Sequence, residues 1–415
     1  MQDTYDALIV GGRCAGAATA MLLARQGMSV LLIDRDRLGA DTLSTLALMR
    51  AGVLQLHRWG LLDRVRAAGT PAIRSTSFVY DREDITLPIK PRDGVDALYA
   101  PRRTVLDALL AEAAAAAGAR VVHGPRLVDL MRGRNGRVTG AVIEDREQAT
   151  HRIEAGIVIG ADGLKSTVAR LVEAPIYRQG HHAGGVVYAF WPGLENRGNR
   201  WYYRPGVTVG AIPTNQGATC LFAGMRGSRF HDEIQADIEA GFHRVMEECS
   251  PQLAREMEGG RASERYRAFP GHPGLFRQSH GPGWALVGDA GYFKDPITAH
   301  GITDSLCAAE LLARAVSRGS DEALAEYQST RDNLCQELFE ITDRIAGYEW
   351  NVDELKQLHL NLSKTMNREV EAMLQLDGAQ SQPRSPDVPQ PPSPVIEARR
   401  HGGHTDEHDH EQADR

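Results

Sequence analysis

The N-terminal segment holds the pattern that most restricts the fold: two apolar strands joined by a glycine-rich turn and a helix. Residues 6–10 are a β-type apolar run, residues 17–26 favour a helix, and residues 28–33 are a second apolar run. In such a βαβ unit the helix N-terminus binds a pyrophosphate, and an acid ending the second strand accepts ribose hydroxyls. The segment predicts dinucleotide binding; the alternative is an ordinary turn with a solvated acid. The predicted cofactor-binding residues are Gly11, Gly12, Arg13, Cys14, Ala15, Gly16, Asp34 and Arg35.

Arg13 departs from the G-x-G-x-x-G fingerprint, because it stands where the second glycine lets the backbone approach a phosphate. Its guanidinium can swing clear and add a charge-assisted contact to a phosphate or to the ring of the ligand. The alternative is that this side chain weakens binding. Cys14 beside it is interpreted as a small residue packed against the strand.

Composition excludes several classes of partner. Lys and Arg total 47 against 54 Asp and Glu, a net charge of −7, which argues against nucleic acid or an anionic membrane as the main partner. The five cysteines are scattered without C-x-x-C spacing, which suits a reduced cytoplasmic protein without structural zinc. We therefore expect no metal site. We also expect no stable membrane insertion, because no apolar run reaches the required length.

Residues 284–303 (WALVGDAGYFKDPITAHGIT) form the second segment with a strong chemical pattern. A short apolar strand leads to a turn at Gly288 and to Asp289, which is expected to be exposed, and a helix opens at Gly301. A helix N-terminus favours an anion, whereas the carboxylate favours hydroxyl donors such as those of a sugar alcohol. Flavin satisfies both, since it carries a polyol and its ring becomes anionic on reduction. The alternative is an acidic turn before a helix.

The segment MRAGVLQL (residues 49–56), followed by GLLD, makes the family resemblance specific. It is similar to the corresponding part of FAD-dependent class A flavoprotein monooxygenases of the para-hydroxybenzoate hydroxylase type. The resemblance implies that Arg50 reaches FAD and that Arg102 or Arg103, before an alanine-rich helix, contacts its phosphate or ring. The sequence does not choose between these two arginines. The backbone at Val128 is implied to border the adenine.

Two more motifs of the same family are present in order. GADGLKSTVAR (residues 160–170) resembles its second FAD-associated motif, which implies that Asp162 and Gly163 bind the cofactor. An Asp-Gly turn followed by a serine that caps a helix is the alternative. Residues 284–303 resemble the third motif, whose acid meets the ribityl chain and whose proline-glycine loop lines the ring. The cofactor-binding residues implied there are Gly288, Asp289, Pro296, Gly301 and Ile302.

His300 stands in this third motif beside Ala299, which occupies a position where glycine is usual. A histidine here is interpreted either as a proton donor near the flavin or as a loop residue that faces solvent. Pro296, His300 and Gly301 are the predicted catalytic residues.

The order of the motifs predicts an α/β fold, a Rossmann-type FAD-binding domain with an inserted antiparallel β-sheet substrate domain. Aromatic residues interleaved with β-type segments mark the insertion, and the proline-rich end is interpreted as a disordered tail. The FAD-binding domain is assigned to residues 1–73, 96–175 and 279–377, the last with C-terminal helices; the substrate domain to 74–95 and 176–278; and the tail to 378–415.

The resemblance implies an FAD-dependent monooxygenase that uses NAD(P)H and O₂ to hydroxylate a small aromatic substrate through a flavin hydroperoxide. NAD(P)H is expected to be a transient co-substrate, because no second glycine fingerprint occurs. One alternative is an FAD-dependent reductase of the geranylgeranyl reductase type, and another is a flavin-binding sensor without turnover. A flavin halogenase is disfavoured, since the WxWxIP signature is missing.

Overall fold

The computed structural model describes residues 4–81 and 83–376, so the predicted tail at 378–415 lies outside the described residues. Within them the chain forms eighteen strands and eleven α-helices. The strands are β1 (Thr4–Val10), β2 (Val30–Asp34), β3 (Ser75–Tyr80), β4 (Glu83–Pro88), β5 (Arg120–His123), β6 (Arg126–Arg132), β7 (Val138–Glu144), β8 (Thr150–Gly160), β9 (Ile176–Gln179), β10 (Gly184–Pro192), β11 (Asn199–Arg204), β12 (Val207–Pro213), β13 (Ala218–Arg226), β14 (Arg267–Phe269), β15 (Leu275–Arg277), β16 (His280–Gly281), β17 (Trp284–Leu286) and β18 (Tyr292–Phe293). The helices are α1 (Cys14–Arg25), α2 (Arg50–Arg58), α3 (Leu62–Ala67), α4 (Arg103–Ala116), α5 (Thr167–Leu171), α6 (Gly227–Arg229), α7 (Ile238–Cys249), α8 (Pro251–Glu256), α9 (Gly301–Arg318), α10 (Asp321–Ala346) and α11 (Val352–Gln375).

A mainly parallel sheet, ordered β16–β17–β8–β1–β2–β5, is the frame of the molecule. β1 pairs in parallel with β2 and β8, and β17 pairs in parallel with β8. Parallel strands are covered on both faces, which explains why these segments read as continuous apolar runs. At the carboxyl edge Val10 lies opposite Ile33 and Gly160, so three loops leave from one place. The predicted α/β fold with a Rossmann-type sheet is confirmed.

Helices cover one face of this sheet and a β-hairpin covers the other. α1 packs against α4 and α9, and its alanines are fully buried, which lets the helices approach closely. β6 and β7 form the hairpin, and β7 also pairs antiparallel with β8. Leu127 and Val138 of the hairpin join one apolar cluster with Leu8 and Leu31 of the sheet. The sheet is therefore buried from both sides, with its carboxyl edge left accessible.

A seven-stranded sheet, ordered β14–β10–β13–β12–β11–β3–β4, forms the second layer. It is antiparallel as predicted, except that β11 pairs in parallel with β3, which comes from a distant part of the chain. Neighbouring residues of a strand face opposite sides. On β10, Tyr188 faces the main core, while Val187 packs with residues of α7 on the other side. One face of this sheet therefore looks toward the parallel sheet.

The last three helices complete the layer behind the parallel sheet. α10 packs on α9, and α11 packs on α10 and α2. α11 begins with a capping box in which Asn351 and Glu354 each bind the backbone N–H of the other. The five cysteines are free and buried. Within residues 4–81 and 83–376, no helix combines the length and apolar character needed to cross a bilayer.

Candidate functional site

A cavity of about 640 Å³ lies at the carboxyl ends of β1, β2 and β8, between the two sheets. Gly11, Asp34 and Ala161 line it from the parallel sheet, and Val186 and Tyr188 line it from β10. The carboxyl edge of a parallel sheet is where ligands bind in open α/β folds. The volume is within the range of cofactor and ligand sites.

The glycine turn after β1 is shaped by close backbone contacts. A Cβ at Gly16 would lie 1.8 Å from the carbonyl oxygen of Gly11. A Cβ at Gly11, whose φ is +104°, would lie 2.4 Å from the carbonyl oxygen of Ala161. Only glycine fits either position without a backbone shift. α1 begins at Cys14, which lines the cavity, so the positive end of its dipole borders this space.

Asp34 and Arg13 stand beside this turn. Asp34 accepts hydrogen bonds from the backbone N–H groups of Gly12 at 2.6 Å and of Asp36 at 2.7 Å, one on each carboxylate oxygen. Each oxygen keeps further acceptor capacity, so a ribose hydroxyl can still bind. Arg13 lines the cavity and pairs with Asp36 at 3.0 Å and with Asp107 at 3.5 Å. Its contact with a phosphate stays a prediction.

The structure separates the two arginines that the sequence did not distinguish. Arg103, the first residue of α4, lines the cavity and pairs with Asp107 at 2.9 Å. Arg102 does not line it. Its guanidinium pairs with Glu264 at 2.7 Å and lies 3.5 Å from the centroid of the Phe190 ring. Arg103 is therefore the candidate for contact with a bound anion, whereas Arg102 fastens α4 to the second sheet.

Asp162 and Gly163 reach the cavity from the end of β8. Asp162 accepts hydrogen bonds from the hydroxyl of Ser166 at 2.5 Å and from the backbone N–H of Thr167 at 2.6 Å. Burial raises the pKa of Asp162, although these hydrogen bonds oppose the shift. Ser166 also accepts the backbone N–H of Ala169 and so caps α5. The capping interpretation holds for Ser166, and the Asp-Gly pair still borders the cavity.

Asp289 lies in the turn after β17 and is partly buried, rather than exposed as expected. Burial raises its pKa to about 6, although the positive charges of Lys294 and Arg103 oppose the shift. Among the described residues its carboxylate accepts no hydrogen bond. An unsatisfied acceptor that lines a cavity is suited to hydroxyl donors such as those of a ribityl chain.

The loop before α9 forms the opposite end of the cavity. Pro296 opens a short 3-10 turn, and Ala299 follows in the left-handed region with φ +50°, which explains why glycine is usual at this position. α9 then begins at Gly301, where an added Cβ would meet no atom within 4 Å. Free space therefore lies beside the N-terminus of α9, where the unpaired N–H groups favour negative charge.

Four ionisable side chains behind this loop form what we call the buried chain: Lys294, Asp304, His300 and Glu369. Lys294 forms an ion pair with Asp304, and Nδ1 of His300 lies 2.9 Å from Oδ1 of Asp304. Nε2 of His300 lies 3.1 Å from Oε2 of Glu369. Lys294 and Asp304 line the cavity, but His300 and Glu369 do not.

The buried chain corrects two expectations about His300. Its side chain is fully buried, so the interpretation as a solvent-facing loop histidine is wrong. It also does not line the cavity, because its ring nitrogens face the carboxylate of Asp304, which lines the cavity, and that of Glu369, which does not. A direct proton transfer from His300 is therefore not what this geometry favours. No metal was expected; within the described residues, His300, Asp304 and Glu369 are a group whose ligand atoms can hold a metal ion.

A second cavity of about 20 Å³ adjoins the first at Thr45, Val186 and Pro296. Its remaining walls are largely glycine backbone and aromatic rings of the second sheet, including Trp201 and Phe222. It has room for about one water-sized molecule. Thr208 and Asp295 are polar residues of its wall.

The large cavity brings together most of the predicted site residues: Gly11, Arg13, Cys14, Ala15, Asp34, Arg35, Arg103, Asp162, Gly163, Asp289, Pro296, Gly301 and Ile302. Gly12, Gly16 and Gly288 shape the wall without lining it. Arg50 is away from the wall, because its guanidinium donates to the carbonyl oxygens of Lys90 at 2.7 Å and Val95 at 3.1 Å. Val128 also does not line it, whereas the preceding Leu127 does.

Sequence reasoning missed several residues of this wall. Residues 42–47, Arg126, Lys165, Lys294 and Asp304 all line the cavity. Lys294 had a usable signal, since a lysine that directly follows the aromatic residues Tyr292 and Phe293 needs a partner if it is buried with them. Residues 42–47 had none, because a loop without a motif gives no indication of what it covers.

The donors and acceptors of the cavity fit FAD. The N-terminus of α1 and Arg103 suit the pyrophosphate, Asp34 suits a ribose, and Asp289 suits the ribityl hydroxyls. Gly301 borders the cavity at the N-terminus of α9, which would favour the negative charge of a reduced ring. The close contacts at Gly11 and Gly16 fix the shape of the turn that leads into α1.

Comparison with known proteins agrees with this fit. The family described as FAD binding domain matches residues 4–342. The chain is 28% identical over 375 residues to the probable electron transfer flavoprotein-quinone oxidoreductase YdiS of Escherichia coli, covering 80% of this chain and 82% of the relative. It is 25% identical over 353 residues to digeranylgeranylglycerophospholipid reductase 1 of Methanococcoides burtonii, covering 79% of each. The structure of Pseudomonas aeruginosa PqsL in complex with 2-aminobenzoylacetate aligns with a TM-score of 0.73 at 20% identity, over 88% of this chain and 100% of that chain, which shows a shared fold.

Proposed function

The chain belongs to the FAD-binding family described above, and on that premise we propose that it is an FAD-dependent monooxygenase that uses NAD(P)H and O₂ to hydroxylate a small aromatic substrate. The class of FAD-dependent oxidoreductase follows from the family. In such enzymes the bound flavin supplies the redox chemistry, while the protein supplies orientation, charge and exclusion of water.

The small cavity at Val186 is the observation that carries the proposal. It has room for about one water-sized molecule, and most of its wall is glycine backbone and aromatic rings, with Thr208 and Asp295 as polar members. O₂ is a small apolar molecule and loses little on entering such a space. The cavity opens toward Pro296, at the end of the large cavity where the ring fits. A reductase that works without O₂ has no need of this compartment.

The second sheet supports the same proposal by covering the ring end. The hydroxyl of Tyr188 accepts the backbone N–H of Ser44 at 3.0 Å and donates to the carbonyl oxygen of Thr42 at 3.2 Å. These bonds hold the loop of residues 42–47 against β10, where both line the cavity. A covered ring end keeps bulk water from the reacting atoms, which a hydroxylation that depends on a reactive oxygen species requires.

A reductase of an unsaturated lipid or quinone is the second candidate. It is favoured by the two relatives above, of which one is named a lipid reductase and the other a probable quinone oxidoreductase. The alignment covers about four fifths of the length of each relative. The two candidates share FAD and differ in whether O₂ enters the product.

Oxygen labelling separates the two candidates. The FAD-loaded protein is supplied with NAD(P)H and a panel of phenolic compounds under ¹⁸O₂, and products are analysed by mass spectrometry. The proposal expects a product that carries one ¹⁸O atom. Consumption of NAD(P)H that requires a quinone or a polyprenyl compound, proceeds without O₂ and gives no labelled product would contradict it.

Two matched variants of β10 test the role of the small cavity. Val186→Ile adds one methyl group to its wall, and Val187→Ile adds the same group on the opposite face of the strand, among residues of α7. We expect Val186→Ile to raise the KM for O₂ several-fold without changing anaerobic reduction of the flavin by NAD(P)H. Val187→Ile is expected to change neither, although overpacking costs about 1–3 kcal/mol of stability. Equal KM values for O₂ in the two variants would show that the small cavity has no role in the reaction with O₂.

A further inference from the structure

The buried chain joins the cavity wall to α11, and nothing in the proposed reaction yet uses it. Its four side chains are each at most 7% exposed, and they come from three separate places: the β18 loop, the start of α9 and α11. Burying charged groups costs several kcal/mol per ion unless they are paired. A cluster of this kind that reaches a ligand cavity is where functional groups are expected.

His300 stands between the two carboxylates of the buried chain. Its ring nitrogens face carboxylate oxygens, Nδ1 toward Asp304 at 2.9 Å and Nε2 toward Glu369 at 3.1 Å. Nε2 of His300 and Oε2 of Glu369 nevertheless have no hydrogen-bond partner among the described residues. The firm contacts of the chain are therefore those at Asp304, which binds both His300 and Lys294.

Lys294 is the cation of the chain that borders the cavity. Burial lowers its pKa to about 8, while the surrounding acidic groups oppose the shift. The ammonium also lies 5.3 Å from the centroid of the Tyr292 ring. At neutral pH the side chain is thus mainly charged, and it can lose its proton in mild base. The ionisable groups around it are Asp289, Tyr292, Asp304, Cys307, Cys335 and Glu369.

We propose that Lys294 is a catalytic cation of this site: its ammonium contacts the ring end of bound FAD, and Asp304, His300 and Glu369 position it. A bound flavin would gain negative charge at its ring on reduction. A cation fixed in a water-poor cavity stabilises that charge more than a solvated one does. His300 acts through Asp304 and is a positioning residue. The inference rests on FAD binding and not on the reaction with O₂.

The two-electron midpoint potential of the bound FAD tests this role without turnover. In Lys294→Met the affinity for reduced FAD is expected to fall about tenfold relative to oxidised FAD, which lowers the potential by about 30 mV. Lys294→Arg keeps the charge and is expected to restore the potential at neutral pH. His300→Gln and Glu369→Gln keep Lys294 and are expected to lower the potential by less than Lys294→Met does, since they change only the groups that hold Lys294.

Lys356→Met is the matched control, because Lys356 pairs with Glu83 and does not line the cavity. It is expected to leave both the potential and its pH dependence unchanged. A Lys294→Met protein that binds FAD with the wild-type potential at every pH would overturn the inference. So would one equivalent of tightly bound divalent metal that is lost in Glu369→Gln, because a metal would then engage the carboxylates that position Lys294. Failure of the wild type to bind FAD is a separate outcome that refutes the site itself.

Discussion

The two ends of the large cavity are built in different ways. At the nucleotide end the wall is a contiguous turn whose shape depends on glycine backbone, with Gly16 packed against Gly11 and Asp34 bound to the N–H of Gly12. At the ring end the wall depends on side chains brought together from distant segments, such as the pair of Tyr188 with the loop of residues 42–47. We therefore expect changes at the first end to affect mainly FAD binding, and changes at the second end to affect mainly the reaction of the bound flavin.

The largest expected effect comes from adding one methyl group at the nucleotide end of the cavity, in comparison with the same addition at the ring end. Gly16→Ala places a Cβ 1.8 Å from a backbone oxygen, whereas Gly301→Ala places one in open space beside the cavity. We expect Gly16→Ala to weaken FAD binding at least about a hundredfold, equivalent to about 3 kcal/mol, because the turn must shift. Gly301→Ala is expected to fold normally and to bind FAD with a smaller loss. Fluorescence titration of the apoproteins measures both, and equal affinities would contradict the comparison.

The next effect concerns the adjacent arginines. Arg103→Met removes a cation from the cavity wall and leaves Asp107 with Arg13, at 3.5 Å, as its remaining cationic partner. We expect FAD affinity to fall about tenfold or more, together with about 1–3 kcal/mol of stability. Arg102→Met is expected to reduce stability, because the ion pair with Glu264 and the contact with the Phe190 ring are lost. It is expected to leave FAD affinity nearly unchanged. A larger loss of FAD affinity in Arg102→Met than in Arg103→Met would reverse the assignment.

Asp289 gives a smaller effect that depends on pH. Its pKa in the folded protein is about 6, above the usual 3.8. Because the folded protein binds the proton of Asp289 more tightly than the unfolded chain does, the protonated carboxyl stabilises the fold. This contribution is complete below about pH 3.8 and is lost as the pH rises through about 6. In Asp289→Asn this loss is absent, so the apoprotein is expected to be about 1–3 kcal/mol more stable than wild type at about pH 8. The difference should vanish near pH 4. Urea unfolding at both pH values measures it, and a difference that grows on acidification would have the wrong sign.

The smallest expected effect is that of Arg50→Ala. In this structure Arg50 binds carbonyl oxygens of the loop at Lys90 and Val95, outside the cavity wall. We expect FAD affinity to change by less than about threefold, a free energy below about 1 kcal/mol. A loss as large as that of Arg103→Met would restore the contact with FAD that the family resemblance implies.

The same contrast explains what could be predicted from the sequence. The glycine turn, Asp34, Asp162 and Asp289 were found because each lies at the end of an apolar run, where local pattern and function coincide. The fold class followed from their order. The buried chain could not be predicted, since Glu369 lies far along the chain from His300 and its helix position carries no motif. Choosing between Arg102 and Arg103 also required tertiary structure, because adjacent residues of one helix start point to different neighbours.

Binding of FAD by the large cavity is the central claim, and calorimetric titration of the apoprotein with FAD tests it most directly. We predict one FAD per chain, with the flavin absorbance appearing on binding and the affinity lost in Gly16→Ala. A wild-type protein that is folded but takes up no FAD, or a Gly16→Ala variant that binds as tightly as wild type, would contradict it.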